Sequence, residues 1–408
     1  MRNKFLIACA SGLAFSAGSA AHAQSIGTTA PAVVAKDPEY RPVPVRIGPF
    51  DLATGVDVAI DYDSNIYALP DNEVSDEILQ IRPYASLNYS DGPVSVRVAT
   101  SSIIRRFVDN ETENSEGTTF EGEVAWSPAE RETLALSASW QRAIEDRGDP
   151  EARNNASIGP RITEITTAGA RYRRARGRLL FGVEGVLRKN DAVASFDDDR
   201  DFTSYSGRAT AGYRVSGAAF ATASFFVNRR DFRLEFTPGG IDRNSTTYGG
   251  RLGLEFEPGG LVEGNIGVGL FRNEPDDPTF DSRTGLSVTG QLRYAPTRRA
   301  YVILDVFSGD VATFRNGATS RTDSSIRLTW QQEVRHNLLA SATAGYSREK
   351  FVGLGQSQET FVGRFEVEYL ATRNLSLAAT ASYGERSSDI AFDEFNRFRG
   401  GLTARLRF

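Results

Sequence analysis

The residues with chemistry to offer are arginines and carboxylates spaced two apart. Arg97, Arg171, Arg208, Arg214, Arg251, Arg293, Arg327 and Arg364 share one phase of an alternating pattern with Glu255, Glu366 and Glu368. Their neighbours in the other phase are apolar or small, as Leu254 and Phe256 are around Glu255. In extended chain, residues two apart share a face. These charges therefore line one side of a sheet, where each must be paired or hydrated. The plain reading is a hydrated face laced with Arg–carboxylate pairs. The sharper reading is a basic ladder that attracts an anionic solute or polymer.

Catalysis finds little support. The 408 residues contain one cysteine and two histidines. Cys9 and His22 fall in the first 23 residues, so only His336 remains beyond them, at an expected surface turn. That leaves no general base of the usual kind, no disulfide and no zinc ligand set. We expect no catalytic residue, no metal site and no cofactor. The carboxylate runs at Asp197, Asp198 and Asp199 and at Asp276 and Asp277 read as solvated loop charge. Gly249 to Gly253 lacks the Lys-Ser/Thr of a phosphate loop and reads as glycine within a strand. Phe220, Phe226, Ile303 and Phe307 share the charged phase.

The elements that hold this face repeat. Tyr89, Trp126, Tyr172, Tyr213, Phe256, Tyr294, Trp330, Tyr369 and Phe408 recur 36 to 46 residues apart. Each but the last stands just before a short turn segment such as Ser90 to Pro93 or Glu257 to Gly260. Counting back by twos from each gives apolar or small residues. Longer connections rich in Asp, Asn and Gly separate the repeats, for example residues 145–155. A ring at a membrane interface has an apolar body and tolerates water at one edge. Nine aromatics at one depth read as the short-turn girdle of a transmembrane β-barrel. Trp140, Tyr346 and Tyr383 begin a second girdle at the far end.

The expected fold is thus all-β: an antiparallel up-and-down barrel of about 18 strands. Short turns would face the periplasm and longer loops the outside. Net charge is −5 and mean hydropathy −0.34, as a polar lumen face requires. The composition argues against a nucleic-acid partner. By parity, Arg placed at Leu254 or Leu377 should be costly, and Arg at Thr329 tolerated.

Three regions are expected. Residues 1–23 read as a Sec signal peptide, with Arg2 and Lys4 before an apolar stretch and Ala21-His22-Ala23 as the cleavage site. Residues 24–48, with Pro31, Pro38, Pro42 and Pro44, read as an unstructured periplasmic arm. Residues 49–408 form the barrel.

The signal peptide, the proline-rich arm, the box Tyr62-Asp63-Ser64-Asn65-Ile66-Tyr67, the hairpin array and the terminal Phe408 together resemble the putative β-barrel porin 2 family of Gram-negative outer membranes. That resemblance covers the chain beyond the signal peptide. It implies a non-enzymatic diffusion or export channel in the cell outer membrane, and it carries over no catalytic residue. The expected partners are outer-membrane lipid and lipopolysaccharide. A further one is the barrel-insertion machinery, reached through the last strand and Phe408. The leading function is a porin-like channel for small hydrophilic solutes. The alternatives are a conduit for exopolysaccharide secretion working with a periplasmic export partner, and a closed structural barrel.

Overall fold

The computed structural model describes residues 37–408, apart from residue 154 and residues 236–239. The expected signal peptide and the first part of the arm lie outside the described residues. A short strand, β1 (Val45–Ile47), precedes eighteen long ones, β2 (Phe50–Asp63) through β19 (Phe395–Arg407). Every strand pairs antiparallel with the next in the chain, and β19 pairs with β2, so eighteen strands close into a barrel. Closure satisfies the backbone of both edges, a requirement in lipid. The strands run from 12 to 16 residues, longer than the 9–11 or so needed to span a bilayer.

The alternation in the sequence becomes two faces. Leu252 and Leu402 are 70% and 69% exposed, and Ile60, Leu270 and Leu377 stand out with them. So much apolar surface suits lipid contact. On the opposite phase Glu368 and Thr329 are each 3% exposed. Trp126, Tyr213, Tyr294, Tyr369 and Phe408 are exposed near the short-turn ends of their strands. Tyr89, Tyr172, Phe256 and Trp330 are half-buried at the same level.

The short turns come where polar and glycine residues cluster. Asp91 pairs with Val94 across Gly92 and Pro93. Gly92 has φ +58°, a conformation that a two-residue hairpin needs and that only glycine adopts cheaply. Phe408 accepts a hydrogen bond from the Thr54 backbone and donates one back, at 2.9 and 2.7 Å, which seals the last strand to the first.

Candidate permeation path

The inner wall is built from cross-strand ion pairs. Arg97 on β4 (Val94–Phe107) meets Glu121 on β5 (Ser115–Ala129) at 3.5 Å. Arg208 on β9 (Phe202–Arg214) pairs with Glu184 on β8 (Leu179–Ala192), and Arg171 on β7 (Ile162–Arg176) stands in register with the same Glu184. Glu366 accepts Arg364 at 3.1 Å and Arg405 at 2.9 Å. Glu368 accepts Arg405 and Arg407, each at 2.8 Å. Glu255 on β11 (Ser245–Phe256) accepts Arg173 of β7 at 2.8 Å, reaching across a chord of four strands. Arg293 lies 3.6 Å from Glu263 and stacks 4.0 Å over Tyr301.

Other arginines behave differently. Arg214 is drawn to the short-turn rim, where it bridges Glu257 at 2.9 Å and the Gly217 carbonyl at 2.7 Å. Arg188 bonds only Asn190, and Arg251 bonds Ser287. Arg327 faces Asp305 across strands. These three have no carboxylate in ion-pair contact among the described residues. Phe220 and Ile303 are buried on the inner side of their strands.

The loop between β6 (Glu132–Ile144) and β7 enters the barrel. Its charges find partners on distant walls. Asp146 accepts Arg397 and Arg399 of β19, both at 2.8 Å. Arg386 of β18 (Leu375–Ser388) donates to the Gly148 carbonyl at 2.6 Å. Arg147 donates to Glu113 at 3.1 Å and to the Ile158 carbonyl at 2.6 Å. Glu151 reaches β15 (Ser320–Arg335), where Arg321 meets it at 2.7 Å. It also accepts Thr313 and the Phe314 backbone, at 2.7 and 2.8 Å. The connection between β14 (Ala300–Val311) and β15 bends inward as well: Phe314 packs on Phe202 and Phe232 of β9 and β10 (Ala219–Phe232). Two inward segments therefore meet near the long-loop end.

Electrostatics hold the loop in place. Burial acts to raise the Asp146 carboxyl, but Arg399 and then Arg397 outweigh it and keep it well below the usual range. Asp149, three residues on, is pushed well above it by burial first and by the Asp146 charge second. A carboxyl so placed stays protonated more readily than its neighbours.

The sequence pattern reads this loop only as one of the longer outside connections. The same correction applies to two loop carboxylates. Asp197 is buried against Arg153 and Arg161, and Asp277 is buried with the Thr279 hydroxyl and the Asp242 backbone bonded to it. Arg153 and Arg161 compensate the Asp197 charge, whereas Asp277 is held by hydrogen bonds from the Thr279 hydroxyl and backbone and from the Asp242 backbone. Asp76, Glu77 and Asp109 lie close enough to hold an ion, but Asp76 already accepts the backbone N–H groups of Val108, Asp109 and Asn110.

The wall, the hairpin array and the closing strand match a family model, the putative beta-barrel porin 2, over residues 37–408. The chain belongs to that family. No curated protein matches the chain. Among solved structures it is similar to the outer membrane protein opdK from Pseudomonas aeruginosa, with 12% identity, TM-score 0.45, and 88% of this chain and 99% of the other covered. It is also similar to the FrpB iron transporter from Neisseria meningitidis, with 10% identity, TM-score 0.43, and coverages of 82% and 62%. Both likenesses concern the barrel fold.

Two features of this porin 2 family member lie at its ends. In the Tyr62–Tyr67 box, Asn65 is fully buried and donates to the Leu69 and Asn396 carbonyls at 2.8 and 3.0 Å. Asp63 beside it collects Arg397 and Arg399, at 2.8 and 2.7 Å. The box thus anchors the arginines that hold the inward loop. At the other end, residues 37–48 of the arm hold a short turn and a short strand. Asp37 caps the 3-10 turn Pro38–Tyr40, and β1 pairs with the start of β2. Tyr40 packs against Leu339, Leu370 and Tyr301 on the inner side, with its ring 5.7 Å from His336. Pro38, Pro42 and Pro44 keep the chain before β1 out of the ladder, and this apolar recess supplies packing there instead.

Proposed function

We propose that this chain is a channel of the cell outer membrane for passive passage of small hydrophilic solutes, anions favoured. Its flow is set where residues 145–161 cross the lumen. The observation that carries this reading is a pair of inward arginines, Arg188 and Arg251, with no carboxylate in ion-pair contact among the described residues. A buried cation without a partner requires water. A barrel of eighteen strands is wide enough to hold that water. A cationic wall lowers the barrier to anions and raises it to cations. The reading calls on no catalytic group.

The experiment is single-channel conductance of refolded residues 24–408 in planar bilayers, with reversal potentials in a KCl gradient. A steady current that prefers chloride supports the proposal. Absence of current at every voltage would sink the open channel, and cation preference would sink the role given to the arginines. In the first case polymer export or a structural barrel becomes the better reading.

A further inference from the structure

We propose that Arg251 is a carboxylate-binding subsite on the inner wall. The proposal rests on the reading of the lumen as a water-filled path, and names the chemistry that the path recognises.

Six strand arginines lie over aromatic rings on neighbouring strands. Arg321, over Phe351, has Asp323, and Arg386, over Phe395, is taken up by the Gly148 carbonyl of the inward loop; the other four compare directly. Arg214 covers Phe220 at 4.2 Å, Arg293 covers Tyr301 at 4.0 Å, Arg283 covers Phe271 at 5.2 Å and Arg251 covers Phe226 at 3.9 Å. The first three each have a carboxylate as well: Glu257 at 2.9 Å, Glu263 at 3.6 Å and Asp310 at 2.8 Å. Arg251 has the ring but, among the described residues, no carboxylate. The fourth copy of the arrangement lacks the one component that a solute could supply.

The local backbone makes room for this. Phe226 stands in register with Gly249, and a Cβ there would come within 2.7 Å of the ring. Glycine lets the ring lie over β11. The Arg251 stem then passes over β12 (Val262–Pro275) at Gly267, where a Cβ would be 3.5 Å from its own. Its Nε donates to Ser287 Oγ at 2.8 Å on β13 (Arg283–Thr297). One face of the guanidinium is thus held by a ring and one edge by a hydroxyl. The two terminal nitrogens have no hydrogen-bond partner among the described residues. They form a fixed planar fork, the shape that takes a carboxylate through two parallel hydrogen bonds. Contact with the ring adds to the hold on the cation. Because the fork is already ordered, little freedom is lost on binding. Across Phe226, Arg208 is engaged with Glu184, so that pair is neutral and the site keeps one net positive charge.

Saturation-transfer NMR on the refolded barrel in detergent tests this, with glucuronate as probe and glucose as its uncharged counterpart. Glucuronate should give saturable transfer and glucose none. Arg251→Gln should weaken the glucuronate response about tenfold, the loss of one charge-assisted pair. Arg251→Lys should weaken it too, since it keeps the charge without the fork. Arg106→Gln, in register with the exposed Leu79, should leave it unchanged. Ser287→Ala, which removes only the brace, gives a second reading if Arg251→Gln fails to fold. No transfer in the wild-type barrel, or equal transfer in the wild type and in both Arg251→Gln and Ser287→Ala, would overturn the subsite. The measurement needs no current, so a barrel that binds glucuronate but does not conduct refutes the channel and spares the subsite. A conducting barrel that does not bind it does the reverse.

Discussion

Glu151 and Arg321 meet at 2.7 Å across the whole width of the barrel. Glu151 lies in the loop after β6, and Arg321 lies on β15. In an eighteen-strand ring these strands are nine apart in either direction, the largest separation available. Both side chains are almost fully buried. The pair therefore pins the loop to the opposite wall, and the first prediction concerns it. Arg321 keeps a second carboxylate, Asp323 at 2.6 Å, so removing the Glu151 charge loosens the loop without stranding the guanidinium. Glu151→Gln should release the loop while the strands stay folded. Trypsin cleavage after Arg147 should then speed up, and single-channel conductance should rise. Glu151→Leu with Arg321→Met and Asp323→Asn should recover most of the protection, because none of the three charges is left stranded. Cleavage at the wild-type rate in Glu151→Gln would show that the pair does not hold the loop.

Protonation of the same loop has a sign that can be worked out. The fold raises the Asp149 carboxyl, so its contribution to loop stability is complete below the ordinary carboxylate pKa. That contribution is lost as pH rises through the raised value. Asp146 is lowered, so its contribution is present at neutral pH and lost only in strong acid. The loop should accordingly become more protease-sensitive on going from mildly acidic to alkaline pH. Asp149→Asn should flatten that dependence. A variant that keeps the full pH dependence would assign it elsewhere.

The two faces should respond oppositely to charge. Arg at Leu254 or Leu377 places a guanidinium on the lipid-facing side and should cost about 2–4 kcal/mol near mid-membrane. Thr329 is not the tolerant inner position that parity alone suggested. It is buried, with its hydroxyl 3.1 Å from that of Thr343. Ser325, exposed in the same phase of β15, is the better control. Urea unfolding in lipid vesicles should show a loss of stability for Leu254→Arg and little change for Ser325→Arg. Equal losses would contradict the assignment of faces.

At the short-turn end, Tyr40 should hold the arm against the wall. Tyr40→Ala removes the ring from the recess formed by Leu339, Leu370 and Tyr301. Cleavage after Arg46 should become faster, and the backbone amides shared by β1 and β2 should exchange sooner. Unchanged exchange would mean that pairing of Val45 with Leu52 is sufficient by itself.

Much of this protein was legible in one dimension. A period of two, repeated with an aromatic at each short turn, determined the strands, their number, the face each residue takes and the closure that lipid demands. These are local or nearest-neighbour properties, since each strand pairs with the next in the chain. The ladder of Arg405, Glu366, Glu368 and Arg407 follows from the same parity. Only the tertiary structure decided where the loop after β6 goes. Glu151 and Arg321 are 170 residues apart, and no periodicity links them. Their meeting depends on the curvature of the closed ring, which sets Asp63, Arg386, Arg397 and Arg321 around one space that a charged loop can fill. The arm is a similar case: its prolines exclude ladder pairing before β1, but only the recess around Leu339 and Leu370 makes folding Tyr40 back favourable. A pattern along the chain determines which side a residue faces. Which residues face each other across a lumen is set by closure, and closure is a property of all eighteen strands together.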